Sequence, residues 1–180
     1  MRKRILDSQL LDITINRLCQ QLIENHGDFE DSVIIGLQPR GIYLAKRIQS
    51  RLEKLLKKEI SLGYLDTTFY RDDFRRRDQP KKANATNISF IIENKRVIVI
   101  DDVLFTGRSI RASLDAMIAF GRPQDVELLV LINRRYSRQL PIEPNYVGKH
   151  VNTIESQVVL VEWMEQGKKT DNIWLLNKEE

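Results

Sequence analysis

The chain has 180 residues, 42% of them hydrophobic and 30% charged, which suits one domain spanning residues 1–180 with its own core. No stretch approaches the roughly 18 consecutive apolar residues of a membrane span, and Cys19, the only cysteine, excludes an intramolecular disulfide. Lys and Arg exceed Asp and Glu by 29 to 25, a formal +4 that mildly favours an anionic ligand or partner.

The N-terminal MRKRILDSQLLD is basic but reaches Asp7 and Asp12 before an apolar run accumulates, so it is not read as a signal peptide, and the chain is expected in the cytoplasm. Leu11, Ile15, Leu18 and Leu22 then recur at steps of four and three, which predicts a helix over about 8–25 that buries Cys19 as a packed thiol. Asn25, His26 and Gly27 end it, with His26 expected in an exposed turn. SVIIGL at 32–37 predicts a buried strand, and from Gly41 onward Ile42, Ala45, Ile48, Leu52 and Leu55 predict a helix. A second strand is expected within 60–69, followed by a polar loop or loose hairpin over 71–87. A third strand is predicted over 96–101, then a helix over about 108–120 with Ile110, Leu114, Met117 and Ile118 facing the core. Gly121 and Pro123 stop that helix. Strands follow at 126–132, 146–151 and 157–163. Apolar strands alternating with amphipathic helices predict an α/β fold with a mostly parallel central sheet flanked by helices.

The segment VIVIDDVLFTGRS, 97–109, bears most directly on function. In an open parallel sheet ligands gather at the carboxyl ends of the strands, where Asp101 and Asp102 would stand. The turn that follows holds Gly107 and the hydroxyls of Thr106 and Ser109, then opens a helix, so its N–H groups and the helix dipole suit a phosphate. Carboxylates beside a phosphate cradle fit a sugar phosphate, gripping vicinal hydroxyls or holding Mg²⁺. A strand end and a helix cap account for the same residues without any ligand.

IVIDDVLFTGRSIRASLDAM resembles the phosphoribosyl diphosphate (PRPP) signature of type I phosphoribosyltransferases, in the variant of the PyrR family of pyrimidine operon regulators and uracil phosphoribosyltransferases. GLQPRGIYLAKRI, LDTTFYRDD, GRPQDVELLVLINR and LPIEPNYVGKHV resemble further segments of that family, in order along most of the chain. The resemblance implies the type I phosphoribosyltransferase fold, with a small hood built from the chain ends and a flexible loop. It implies that Asp101 and Asp102 bind the ribose hydroxyls, with Mg²⁺ held directly or through water, while Val103, Leu104, Phe105, Thr106, Gly107, Arg108 and Ser109 complete the PRPP site. Pro39, Arg40 and Gly41 would face the diphosphate, and a cis Gln38–Pro39 bond is expected there. Tyr70 and Arg71 would open a lid carrying Arg75, Arg76, Arg77, Lys81 and Lys82, and Arg134, Val158 and Val159 would meet the base.

The implied reaction converts uracil and PRPP to UMP and diphosphate. The family also binds pyrimidine operon mRNA, enhanced by UMP and UTP, with Arg135, Arg138 and Lys149 as candidate contacts. The chain departs from the pattern at Asn16 and Gln20, where the family carries Thr and His, at Asn133 in place of Asp, and at Glu143 in place of Arg. An anion for a cation weakens phosphate contacts, so the alternatives of a regulator with little catalysis and of a purine-type phosphoribosyltransferase stay open. A homodimer or larger homo-oligomer is expected. His26 and His150 belong to no metal-ligand pattern, and His150 is read as structural.

Overall fold

The computed structural model describes residues 2–72 and 83–178. Five parallel strands form the central sheet: β2 (Ser32–Leu37), β3 (Leu62–Leu65), β4 (Arg96–Leu104), β5 (Asp125–Arg135) and β6 (Tyr146–Asn152), in the order β3-β2-β4-β5-β6. Helix α2 (Gly41–Leu56) connects β2 to β3, α3 (Arg108–Met117) connects β4 to β5, and α1 (Ser8–His26) precedes β2. Successive side chains of a strand point to opposite faces. Ile34, Ile98, Ile100, Leu129 and Leu131 therefore meet Leu18, Leu44 and Ile48 of α1 and α2, whereas Ile35, Val97, Val99, Leu128 and Val130 meet Ile110 and Met117 of α3. Burial on both faces is why these strands read as unbroken apolar runs.

Local signals set the helix ends. The Asp7 carboxylate accepts from the Leu10 N–H at 2.9 Å and caps α1, and Gly27 closes it. α3 is shorter than expected, ending at Met117 with a 3-10 turn over Ile118–Phe120. Its core face is Ile110, Ala112, Ser113, Ala116 and Met117; Leu114 and Ile118, expected inside, are exposed. Successive residues of a helix are offset by 100°, so a small rotation of α3 on the sheet buries Ala112, Ser113 and Ala116 in place of Leu114 and Ile118. The strand expected within 60–69 is only β3, and a 3-10 turn at Thr68–Tyr70 follows.

The chain ends form a second, antiparallel sheet of β1 (Arg2–Leu6), β8 (Asn172–Asn177) and β7 (Gln157–Glu162), in the order β1-β8-β7. This is the expected hood. Val161, Trp163 and Ile173 drop from it into the core beside α1 and α2. Arg47 of α2 clamps it further, bonding Glu165 at 2.7 and 2.8 Å and Asp171 at 2.8 and 2.9 Å while stacking 4.8 Å from the centre of the Trp163 ring. Cys19 is a packed thiol, which burial pushes up to about 11.

His26 corrects the sequence reading. Its side chain is fully buried, with Nδ1 2.8 Å from the Ser32 hydroxyl and Nε2 3.0 Å from both Glu127 and the Tyr146 hydroxyl. The helix-ending turn was legible, but the last turn of α1 lies over the starts of β5 and β6, so the ring turns inward. Burial holds His26 below its ordinary value, against the opposing charge of Glu127.

Candidate active site

β2, β3 and β4 end at one edge of the sheet, and the segments that leave them enclose a cavity of about 410 Å³. Pro39, Arg40, Arg71, Asp101, Asp102, Val103 and Ser109 line it together, residues drawn from three distant segments. Asp102 is buried, and its own N–H donates to the Asp101 carboxylate at 2.9 Å. Burial and then the neighbouring Asp102 charge raise Asp101 to about 8; burial also raises Asp102, against the Arg40 guanidinium. Two acids thus share one floor where a cation or a pair of hydroxyl donors would relieve them.

The Gln38–Pro39 bond is cis, as expected. Gly41 follows at the N-terminus of α2, and an added Cβ would lie 2.5 Å from the Ile100 carbonyl oxygen and 3.1 Å from the Asp101 carboxylate. Only a glycine lets the helix start press against the end of β4. On the other side of the floor, Gly107 turns left-handed at φ +91° and α3 begins at Arg108. Leu104 is buried in the core, so only its backbone reaches this turn.

The turn is braced from outside. Gln139 donates its N–H to the Thr106 carbonyl at 3.1 Å, Arg108 Nε donates to Gln139 at 2.9 Å, and Arg138 donates to the Phe105 carbonyl. Arg108 also pairs with Asp72, while Arg71 donates to the Ser109 hydroxyl at 3.0 Å. Tyr70 is half-exposed and does not line the cavity. Arg75, Arg76, Arg77, Lys81 and Lys82, expected to form the lid, lie outside the described residues.

Sequence reading missed Asp66. Its carboxylate accepts from the Thr68 N–H at 2.7 Å, the Asn84 N–H at 2.7 Å and the Asn84 side-chain amide at 3.0 Å, fastening two ends of one loop. Burial opposes ionisation here, but these bonds outweigh it and hold the carboxyl below its usual range. Thr67, Thr68 and Asn84 line the same cavity. The available signal was an Asp two residues before a threonine in a turn.

The edge of the hood completes the arrangement. The Ser156 carbonyl accepts from the Lys178 N–H, so the even-numbered residues of β7 bond to β8 and the odd-numbered ones turn to the open edge. On that edge Arg134 donates to the Gln157 carbonyl at 2.8 Å, and Arg40 donates to the Val161 carbonyl while its Nε bonds Asp102 at 2.9 Å. Val159 lies between, its N–H and C=O facing a gap of roughly 13 Å at about 3.3 Å per residue. Val158 turns the other way, to β8. Arg134 is buried, bonded to Thr153 at 3.1 Å, and stacks 3.9 Å from the centre of the Phe105 ring. Arg134 and the turn that carries Phe105 and Gly107 therefore adjoin.

Residues 1–166 match the phosphoribosyl transferase domain family. The chain is 42% identical over 159 residues to a Bifunctional protein PyrR of Caldicellulosiruptor bescii, covering 88% of this chain and 87% of that one. It is 39% identical over 178 residues to one from Elusimicrobium minutum, covering 99% and 98%. The chain belongs to the PyrR family. It is a phosphoribosyltransferase, and the family's domain takes in all the elements that build the cavity. Among solved structures, the hypoxanthine phosphoribosyltransferase of Trypanosoma cruzi superposes with a TM-score of 0.71 at 13% identity over 98% of this chain and 97% of that one. That of Staphylococcus aureus gives 0.65 at 20% identity over 95% and 90%. These likenesses show the type I phosphoribosyltransferase fold. Among the described residues no helix is long and apolar enough to cross a membrane.

Proposed function

We propose that the chain transfers the phosphoribosyl group of PRPP to uracil, giving UMP and diphosphate. The carrying observation is the convergence of Pro39, Arg40, Arg71, Asp101, Asp102 and Ser109 on one cavity, with Arg40 joining Asp102 to the Val161 carbonyl at the hood edge. Asp101 and Asp102 accept from the ribose hydroxyls, and the backbone of 103–109 with the Thr106 and Ser109 hydroxyls holds the 5-phosphate at the start of α3. The loop at Pro39–Gly41 faces the departing diphosphate, where Arg40 supplies positive charge. Val159 presents an adjacent donor and acceptor, which complement the N3–H and a carbonyl of uracil, with Arg134 at the same edge. Arg71, beside Ser109, contributes a cation over the reacting groups.

Displacement at the anomeric carbon passes through an oxocarbenium-like state and needs no covalent nucleophile. The protein's share is orientation, charge stabilisation and exclusion of water. The residues fit Mg²⁺: Asp101 and Asp102 are adjacent oxygen donors, and Mg²⁺ is ordinarily held by one or two carboxylates plus substrate phosphates. Bound there, the ion would neutralise charge on the diphosphate. A steady-state assay of uracil, hypoxanthine and guanine with PRPP and Mg²⁺ tests the reading; turnover preferring a purine would replace it by the purine-type alternative.

Attenuation of a pyrimidine operon by mRNA binding is the second activity proposed. It is supported by a groove of about 440 Å³ lined by Lys3, Arg4, Arg135 and Lys149 with no carboxylate in its wall. Arg138 contributes less, being engaged with Phe105 and with Asn133 at 2.6 Å. Salt-sensitive binding of leader RNA, strengthened by UMP or UTP, tests this half. Self-association into a homodimer or larger assembly is proposed from the family and measured by sedimentation.

A further inference from the structure

Among the described residues four other than glycine take positive φ, and two of them are aromatic: Phe29 at 62° and Tyr136 at 65°. For a bulky side chain this conformation is unfavourable. At Phe29 the ring is repaid by packing, since the residue is 5% exposed in the core. At Tyr136 nothing comparable occurs: it is 84% exposed, one residue past the end of β5.

The turn that presents it is nonetheless tightly braced. Arg138 bonds the Phe105 carbonyl and the Asn133 side chain, Gln139 bonds Thr106, and the Ser137 hydroxyl donates to the Arg134 carbonyl at 3.3 Å. A strained backbone held rigidly, with an aromatic ring left in solvent, points to an external partner for the ring. Tyr136 borders a cavity of about 600 Å³ whose wall also carries Arg135, Arg138, His150 and the amide of Gln21, with Glu143 as its one carboxylate. Arg135 is exposed beside the ring.

An exposed ring and an exposed arginine on the wall of one cavity suit a flat base with a phosphate attached. We propose that Tyr136, at the rim of this cavity, stacks an unpaired nucleobase whose phosphate pairs with Arg135. A single-stranded RNA carries that unit, and so does a free nucleotide. Taken as RNA, the proposal rests on the attenuation half of the proposed function and names the residue that reads an unpaired base.

The test uses the full chain and a fluorescently labelled single-stranded leader RNA, with anisotropy as readout. Tyr136→Ala should weaken binding about 5- to 150-fold, the range of one lost base stack, with the slope of affinity against salt unchanged. Tyr136→Phe should bind as wild type, and Arg135→Ala should lower the salt slope by about 0.7. Uracil turnover should be unaffected by Tyr136→Ala. In a parallel arm, UMP is titrated into Tyr136→Trp, and quenching of the added tryptophan beyond that of wild type supports the site with free nucleotide as its source. If wild type binds RNA and Tyr136→Ala binds equally, and UMP gives no added quenching, the site is refuted while the attenuation reading stands. If wild type binds neither probe, both fall.

Discussion

Asp66 is the most exacting point at which to perturb the site, because one carboxylate holds both Thr68 and Asn84 and is only 9% exposed. In Asp66→Asn the remaining oxygen still accepts from the Thr68 N–H, but the new amide opposes the N–H and the side-chain amide of Asn84. Two bonds to an ionised acceptor are lost, each of about 1.5–3 kcal/mol when charged. Water reaches the Asn84 side and recovers part of this, so a loss of about 2–4 kcal/mol is expected in denaturant titrations. Thr67, Thr68 and Asn84 line the cavity, so the KM for PRPP should rise as well. The pH dependence supplies a sign. Asp66 ionises below its unfolded value of about 3.9, so its contribution is complete above that pH and fades as pH falls through the folded value. The deficit of Asp66→Asn should therefore shrink below about pH 4. Equal unfolding midpoints and KM in the two proteins, or a deficit that stays constant into acid, would refute the reasoning.

His26 should make the fold acid-sensitive in a higher window: its folded value is depressed, so the unfolded chain takes up a proton first and stability falls as pH drops below about 6.5. His26→Gln should flatten that slope between pH 7 and 5 in thermal melts. Gly41→Ala places a Cβ 2.5 Å from the Ile100 carbonyl oxygen and must move Asp101, so PRPP affinity measured by calorimetry should fall at least about tenfold, a displacement worth about 1.4 kcal/mol or more. Arg71→Ala should lower kcat sharply while the free energy of unfolding changes by no more than about 0.5 kcal/mol; equal activity of the purified proteins would remove Arg71 from the machinery.

The sheet was legible because a doubly buried parallel strand leaves an unbroken apolar run, as in 97–100 and 128–132. The acids and the glycine turn were legible because they follow such a run directly. β1 and β8 were not read as strands at all: RKRIL and NIWLLN are short and partly exposed, and β1 finds its partner, β8, only at the opposite end of the chain. His26 failed for a related reason. A turn can be read from its own residues, but the direction of a ring at its end depends on Glu127 and Tyr146, more than 100 residues away.

The same limit explains what sequence could say of the base site. Arg134 and Val159 could be proposed by resemblance, but their relation could not be, since it runs through backbone atoms. Because β7 pairs only with β8, its outer edge keeps donors and acceptors that any sequence would supply. Arg40 and Arg134 take the carbonyls at Val161 and Gln157, and this leaves Val159 as the position between them. Arg40 reaches Asp102 with the same guanidinium, so the outer edge of β7 and the acid at the end of β4 are set in register by one side chain. That register follows from which strand lies at the edge of the hood, and the identity of Val159 plays no part in it.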